Sequence, residues 1–321
     1  MSEEKAKVAF YWAASCGGCE IAVLDLDEAV LDVAAKADIV FWPVAVDTKY
    51  HDVEAMADNS IDVTFFNGGI RNSEAVHVAK LLRKKSKFLV AFGTCAHCGG
   101  VPALANFKTK DAIFERVYKT TPSTNNPEGI YPQTSHKTRE GEVTIPKFLD
   151  AVYPLDAVVP VDYYVPGCPP PKKWILAGVT AFLTGELPPK GSVIAEEYAL
   201  CKECPREKPE KHSVKEFKRV WEVMDIDFQK CLLDQGIICL GPATRGGCEA
   251  RCITTNYPCR GCFGPAPKII DMGAKMISVL GSIIDEKDET KMEQIVEDIP
   301  DLAGTLYEFT AGRSVFLRRK K

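Results

Sequence analysis

The sequence lacks the features that would point to a membrane or to a nucleic acid. In its 321 residues, no uninterrupted apolar stretch approaches the roughly 18–20 residues that a membrane-spanning helix needs. Neither sign of charge is in large excess, since the chain has 40 lysines and arginines and 44 acidic residues, for a net charge of −4. Such a balance favours neither nucleic acid nor an anionic membrane surface as a partner. We therefore expect no membrane span and no nucleic-acid partner.

The first residues show no targeting signal. Residues 1–12 are acidic and run directly into a strand-like segment, with neither the apolar core of a signal peptide nor a twin-arginine pair. The 13 cysteines are an odd number in a chain large enough to fold without disulfides. We therefore expect a cytoplasmic protein whose cysteines bind metal. Zinc competes with iron–sulfur clusters in this interpretation, because both take four thiolates.

The first half of the chain alternates between strand-like and helix-like segments. Apolar runs predict buried strands at residues 7–12, 38–46, 61–67, 88–92 and 157–165, and helices at 20–36, 73–85 and 172–184. This alternation is typical of an α/β fold with a doubly wound parallel sheet. A polar stretch at 120–147 predicts a long surface loop.

The composition changes near residues 187–189. From there to about residue 267, cysteine, glycine and proline are frequent and long apolar runs are rare. Such a segment cannot build a core from side chains alone and is expected to fold around its metals. We divide the chain into an α/β domain at 1–187 and a mostly irregular cluster-binding domain at 188–321, which includes a helix near 268–284.

Four cysteines follow predicted strands of the α/β domain. Cys16 and Cys19 follow the first strand, Cys95 the fourth and Cys168 the fifth. The carboxyl ends of parallel strands share one edge of a sheet, so these thiols should converge there and could hold a 4Fe-4S cluster. Cys16 and Cys19 could instead form a thioredoxin-like pair, or Cys95 and Cys98 a local zinc pair. Either alternative leaves Cys168 unexplained, and we expect Cys98 to be a packed residue.

The remaining eight cysteines crowd into the second half. By proximity along the chain they form two groups of four, Cys201, Cys204, Cys231 and Cys239, and then Cys248, Cys252, Cys259 and Cys262. This division leaves an exchange of one ligand open. Their intervals differ from the compact run of bacterial ferredoxins. Three four-thiolate sites in one chain indicate an electron relay more than a place of substrate chemistry.

The cysteine motifs together resemble those of NiFe hydrogenase small subunits. The resemblance covers nearly the whole chain. It lies in Cys-Gly-Gly-Cys after the first strand, Gly93-Thr94-Cys95-Ala96 with Gly99-Gly100, Pro166-Gly167-Cys168-Pro169-Pro170, and Cys231…Cys239-Leu240-Gly241-Pro242…Cys248…Pro258-Cys259-x-x-Cys262.

This resemblance implies a flavodoxin-like first domain and three 4Fe-4S clusters. It implies a proximal cluster on Cys16, Cys19, Cys95 and Cys168, a medial cluster on Cys248, Cys252, Cys259 and Cys262, and a distal cluster on Cys201, Cys204, Cys231 and Cys239. No cysteine pair is set aside for nickel. Dihydrogen would therefore be split in a separate NiFe large subunit, and this chain would carry electrons without a catalytic residue of its own.

Two positions differ from the periplasmic members of that family. Cys201 stands where those proteins have a histidine as the first distal ligand, and Cys252 completes a medial site that in them is 3Fe-4S. Both features are similar to the cytoplasmic group-3 enzymes, and most to the G subunits of methyl-viologen-reducing, deazaflavin-non-reducing hydrogenases of methanogens. That similarity implies two further partners, a small iron–sulfur delta-type subunit and the flavin subunit of heterodisulfide reductase.

Four other functions fit parts of the pattern. The gamma subunit of the deazaflavin-coenzyme-reducing hydrogenase is the nearest alternative. A respiratory quinone-oxidoreductase subunit shares the first domain, but such chains typically have adjacent cysteines in the first motif and lack the later eight. A zinc-stabilised, non-redox scaffold would be colourless, whereas iron–sulfur protein is brown. A free-standing polyferredoxin would be stable as a monomer.

Overall fold

The computed structural model describes residues 5–299 and 301–317, so the last four basic residues lie outside the described part. The strands of these ranges are β1 (Ala6–Trp12), β2 (Ala37–Phe41), β3 (Ile61–Asn67), β4 (Ile70–Asn72), β5 (Ser86–Phe92), β6 (Ser135–Lys137), β7 (Glu142–Thr144), β8 (Phe148–Tyr153) and β9 (Tyr163–Val165). Five of them form a parallel sheet in the order β2-β1-β3-β5-β9. Counting only these five, the order is 2-1-3-4-5, which is that of flavodoxin-like folds. The predicted fold class is confirmed.

Helices cover both faces of this sheet. In the described ranges they are α1 (Gly18–Leu24), α2 (Ala29–Lys36), α3 (Tyr50–Ala55), α4 (Ser73–Lys85), α5 (Gly93–Cys98), α6 (Lys110–Glu115), α7 (Lys172–Thr184), α8 (Arg251–Thr254), α9 (Met272–Ile283), α10 (Glu289–Glu297) and α11 (Leu302–Tyr307). One face packs against Val53 of α3 and Leu82 of α4. The opposite face packs against Val23 of α1 and Ile175 of α7. None of the helices in the described ranges combines the length and apolarity that crossing a bilayer requires.

The cysteine-rich second half has its own apolar cluster. Leu240, Met276 and Leu306 lie at its centre, and each is almost completely buried. The cluster also includes Ala103 and Val152 of the first half, so the two halves pack directly on each other. Between residues 185 and 271 regular structure is limited to short turns and the four-residue α8, as the shortage of apolar runs predicts.

Several predicted boundaries change for identifiable reasons. The helix predicted at 20–36 is split into α1 and α2, because Asp27 adopts a left-handed backbone with φ 55°. The strand predicted at 38–46 ends at Phe41, shortly before Pro43, which has no N–H to donate to a neighbouring strand. The strand predicted at 157–165 is limited to β9, and Pro160 interrupts its first half in the same way.

The stretch at 120–147 is exposed, as predicted, but it is not entirely a loop. It contains the antiparallel hairpin of β6 and β7, and it leads into β8, which pairs with β4. Asn126 stabilises the turn before the hairpin, since its side chain donates to the carbonyls of Tyr118 and Ile130 at 2.8 Å each. The segment therefore forms a two-stranded sheet of its own on the surface.

A buried carboxylate holds the start of β9 against β5. Asp162 accepts hydrogen bonds from the Leu89 N–H at 2.9 Å and from Arg83, and it forms an ion pair with Lys190 at 2.8 Å. Burial alone would raise the pKa of Asp162, but Lys190, Arg83 and the Leu89 N–H together lower it. This network fixes the strand that leads to Cys168.

Replacing this carboxylate should weaken the fold. We expect Asp162→Asn to lower the free energy of unfolding by about 1–3 kcal/mol, the cost of leaving buried partners unsatisfied. The loss should be constant from pH 8 to pH 5, because the Asp162 pKa lies below its usual value and the carboxylate is ionised throughout. Anaerobic urea titrations of the purified protein would measure it. The control is Asp38→Asn, which removes an exposed ion pair with Lys5 and should change little; an equal loss in both variants would contradict the prediction.

Candidate metal centres

The first group of four cysteines meets at the carboxyl edge of the sheet. Cys16 and Cys19 follow β1, Cys95 lies in α5 directly after β5, and Cys168 follows β9. Burial raises the pKa of Cys19, and the neighbouring thiols of Cys95, Cys168 and Cys16 raise it further. Burial likewise raises the pKa of Cys95 to about 12, with Cys168 and Cys16 as the next causes. The four thiols therefore lie within electrostatic reach of one another, as their positions after the strands predict.

Two glycines leave space beside these thiols. A Cβ on Gly93 would lie 2.3 Å from the Cys19 sulfur, and a Cβ on Gly100 would lie 2.4 Å from the Cys95 sulfur. Both residues also have positive φ angles, of 81° and 57°. A side chain at either position would collide with a thiol, so only glycine fits.

The second group is formed by the later cysteines at 248–262. Burial raises the pKa of Cys262 to about 12, and Cys248 and Cys252 are among the thiols that raise it further. Cys259 is completely buried, and its pKa is raised by burial and then by Cys239 and Cys262. Thr244 accepts a hydrogen bond from the Cys259 thiol at 3.4 Å. These four cysteines are brought together, with Cys259 at the side that faces the third group.

The third group lies beside the second. Burial raises the pKa of Cys201 to about 12, followed by the thiols of Cys239, Cys231 and Cys204. Burial also raises the pKa of Cys239 to about 11, although the backbone N–H groups of Gly241 and Cys259 oppose this by bonding to its sulfur. Cys201, Cys204, Cys231 and Cys239 therefore lie within electrostatic reach of one another.

Direct contacts connect the three groups in one order. The Cys262 thiol of the second group lies within electrostatic reach of Cys168 from the first, and the Thr94 hydroxyl next to Cys95 donates to the Cys262 carbonyl. The backbone N–H of Cys259, from the second group, donates to the Cys239 sulfur of the third at 3.3 Å. The group at 248–262 therefore lies between the other two, even though it comes last in the sequence.

The chemistry of the donors fits metal clusters. Burial and the neighbouring thiols raise the pKa of Cys19, Cys262 and Cys201, which makes their deprotonation costly without positive charge nearby. Bound metal ions supply that charge and deprotonate coordinating thiols outright. Each group therefore has the donor set of a 4Fe-4S cluster, which needs four thiolates.

The thirteenth cysteine, Cys98, is near enough to Cys95 to raise the pKa of that thiol, but it also lies beside charged side chains. Cys98 is completely buried, and burial raises its pKa to about 11, while Arg313 acts in the opposite direction. Arg313 also donates to the His97 carbonyl at 2.6 Å and pairs with Asp156. Cys98 therefore packs beside a partly buried ion pair that ties the C-terminal segment to α5.

Sequence reasoning missed several side chains that support the cysteines. The Glu203 carboxylate accepts from the backbone N–H of Gly247 at 3.0 Å and of Ala250 at 3.3 Å, and so fixes the loop around Cys248. His212 contacts Asp234 at 2.7 Å, next to Cys231. These contacts join residues that are far apart in the sequence, so a sequence pattern does not reveal them. For Glu203, its position inside the Cys201–Cys204 motif was the available signal.

Comparison with known proteins agrees with this geometry. The family described as NADH ubiquinone oxidoreductase, 20 Kd subunit, matches residues 16–182, which is the part that carries the first group. The iron–sulfur G subunit of the F420-non-reducing hydrogenase of Archaeoglobus profundus is 44% identical over 95% of this chain and 95% of its own length. The G subunit of the F420-non-reducing hydrogenase of Methanothermobacter thermautotrophicus is 39% identical over 96% of this chain and 94% of its own.

A solved structure of an NAD+-reducing [NiFe]-hydrogenase in the H2-reduced state contains a chain that is 30% identical, with a TM-score of 0.49 over 57% of this chain and 93% of that chain. The similarity to the two G subunits, by contrast, extends through all three cysteine groups. It confirms the resemblance seen in the motifs. The chain therefore belongs to the hydrogenase small-subunit family that includes the G subunits of F420-non-reducing hydrogenases.

Proposed function

We propose that this chain holds three 4Fe-4S clusters and relays electrons within a NiFe hydrogenase. The observation that carries the proposal is the order of the three cysteine groups. The Thr94 hydroxyl beside Cys95 donates to the Cys262 carbonyl, and the Cys259 N–H donates to the Cys239 sulfur. When bound, a 4Fe-4S cluster accepts and releases electrons at a potential set by hydrogen bonds to its sulfurs and by burial. The chain's own residues supply the thiolates, the buried surroundings and those hydrogen bonds.

The ligand sets of the proposal follow the three groups. Cys16, Cys19, Cys95 and Cys168 serve as the proximal set, Cys248, Cys252, Cys259 and Cys262 as the medial set, and Cys201, Cys204, Cys231 and Cys239 as the distal set. We assign residues 1–187 and 188–321 to two domains on the same basis. The first domain positions its ligands with the sheet, and the second with loops that its metals organise.

In this proposal the NiFe large subunit binds beside the first cysteine group. Trp12, Ile21 and Leu24 are exposed around the first cysteine group, and exposed apolar side chains in a cluster are typical of protein interfaces. Ala14, two residues before Cys16, exchanges backbone hydrogen bonds with Gly69 at 2.9 and 3.0 Å. Gly69 precedes β4, which pairs with β8 at the end of the 120–147 segment. The interface therefore extends from α1 onto that segment.

The electron acceptor binds beside the third cysteine group. Trp221, Met224 and Phe228 are exposed there, and Met224 keeps 93% of its accessible surface. Gln235 connects their segment to the third cysteine group, since its amide donates to the carbonyls of Asp227 at 3.0 Å and Cys231 at 3.4 Å. We propose that a small iron–sulfur delta-type subunit binds here and passes electrons to the flavin subunit of heterodisulfide reductase. We also propose a cytoplasmic location, because a chain with 13 cysteines keeps them reduced most readily there.

Counting metals tests the ligand sets. The anaerobically purified complex should contain about twelve irons and twelve sulfides on this chain, four of each per cluster, and nickel on the large subunit. Cys252→Ala should lower the iron to about eleven and give the spectrum of a 3Fe-4S cluster, because one thiolate of the medial set is gone. The control is Cys98→Ala, which should retain all of the iron. Zinc in place of iron, or iron loss only in the Cys98 variant, would contradict the proposal.

Disrupting α1 tests the proximal interface. Ile21 and Leu24 are 56% and 55% exposed, so Ile21→Ser/Leu24→Ser should leave the fold and the iron content intact but abolish co-purification of the large subunit. Deleting residues 122–135 should have the same effect. The control is Leu31→Ser on α2, which is 68% exposed and outside the proposed interface. An intact complex with both altered proteins would show that the large subunit binds elsewhere.

A further inference from the structure

One buried hydroxyl lies where three cysteine-bearing loops meet. Thr94 directly precedes Cys95 at the start of α5, and it is 1% exposed. Its backbone N–H donates to the Gly167 carbonyl at 2.9 Å, and the Gly167 N–H donates back to the Thr94 hydroxyl at 3.3 Å. This reciprocal pair joins the loop of Cys95 to the loop of Cys168, and both belong to the first group.

The same hydroxyl also reaches the second group. Thr94 Oγ1 donates its proton to the backbone carbonyl of Cys262. A threonine hydroxyl has one proton to donate and lone pairs to accept with. Here the hydroxyl donates its proton to the Cys262 carbonyl and accepts from the Gly167 N–H, so it bonds to both groups at once.

These contacts lie where the first and second groups approach each other. Cys168 lies within electrostatic reach of the Cys262 thiol, and Thr94 holds both the residue before Cys168 and the carbonyl of Cys262. Loss of the Thr94 hydroxyl would leave a buried N–H and a buried carbonyl without this partner, and the two loops would be free to move apart. No other side-chain hydrogen bond described in residues 5–299 and 301–317 joins the loops of Cys168 and Cys262 in this way.

We propose that Thr94 is a positioning residue for electron transfer between the first and second cysteine groups. The inference rests on the proposed function, since it requires a cluster in each group. Electronic coupling falls more steeply across an open gap than along covalent and hydrogen bonds. By holding the loop of Cys168 against Cys262, Thr94 maintains a continuous path of covalent and hydrogen bonds. It thereby sets the rate of electron transfer between the two groups. It touches neither substrate nor nickel and acts only through these cysteines.

The test compares two small residues at this position in the whole anaerobic complex. Thr94→Ser keeps the hydroxyl and Thr94→Ala removes it, with almost no difference in size. After reduction through the large subunit, rapid-freeze EPR would follow the appearance of electrons on the second group. We expect Thr94→Ser to transfer at nearly the wild-type rate and Thr94→Ala to be several-fold slower, because electronic coupling weakens when a hydrogen-bonded path is replaced by a gap.

A second readout separates positioning from simple stability. Magnetic interaction between the two reduced clusters depends on their separation, so its EPR broadening should decrease in Thr94→Ala and be restored in Thr94→Ser. Thr64→Val is the control, because Thr64 is an equally buried threonine whose hydroxyl contacts only the Ser86 hydroxyl, at 2.6 Å. It should lower thermal stability without changing either EPR result.

The outcomes also separate this inference from the proposed function. Equal transfer rates and equal broadening in the serine and alanine variants, with full iron content, would overturn the role of Thr94 and leave the relay intact. Wild-type protein that contains no iron, or shows no coupling between reduced centres, would overturn the relay itself. If Thr94→Ala loses iron, the serine variant and Thr94→Val still decide the question, since valine matches threonine in shape and lacks only the hydroxyl.

Discussion

Repulsion among crowded thiolates is the constraint on which the rest of this structure depends. Burial and the neighbouring sulfurs raise the pKa of a thiol in every group, as at Cys19, Cys201 and Cys262. Positive metal charge removes that penalty. Residues 185–271 have little regular structure of their own, so metal binding and folding of the second half are expected to be one process.

The chain solves the problem of gathering thiols in two ways. The sheet assembles the first group, because parallel strands bring residues up to about 150 positions apart in the sequence to one edge. For the second and third groups, short loops between ligands have a small closure cost. Side chains such as Glu203 and Thr244 then fix those loops through backbone and thiol hydrogen bonds. The contact of Cys259 with Cys239 follows from that tight packing.

Sequence reasoning reached the features that depend on periodicity and on strand ends. It placed Cys95 and Cys168 together because both follow strands, and it predicted α4 and α7 at the observed bounds. It did not find the break at Asp27 or the β6–β7 hairpin, since both depend on local backbone geometry that a hydrophobic pattern does not record. The bonds of Thr94 and Glu203 were also invisible, because their partners are distant in sequence and are mostly backbone atoms.

The most direct test of the account is an anomalous-difference map, measured at the iron absorption edge, from anaerobic crystals of the complex. The account predicts three iron peaks on this chain, each enclosed by one of the three cysteine groups. The peak among Cys248, Cys252, Cys259 and Cys262 should lie between the other two. Fewer than three iron peaks, a zinc signal at any group, or a ligand drawn from Cys98 would contradict it.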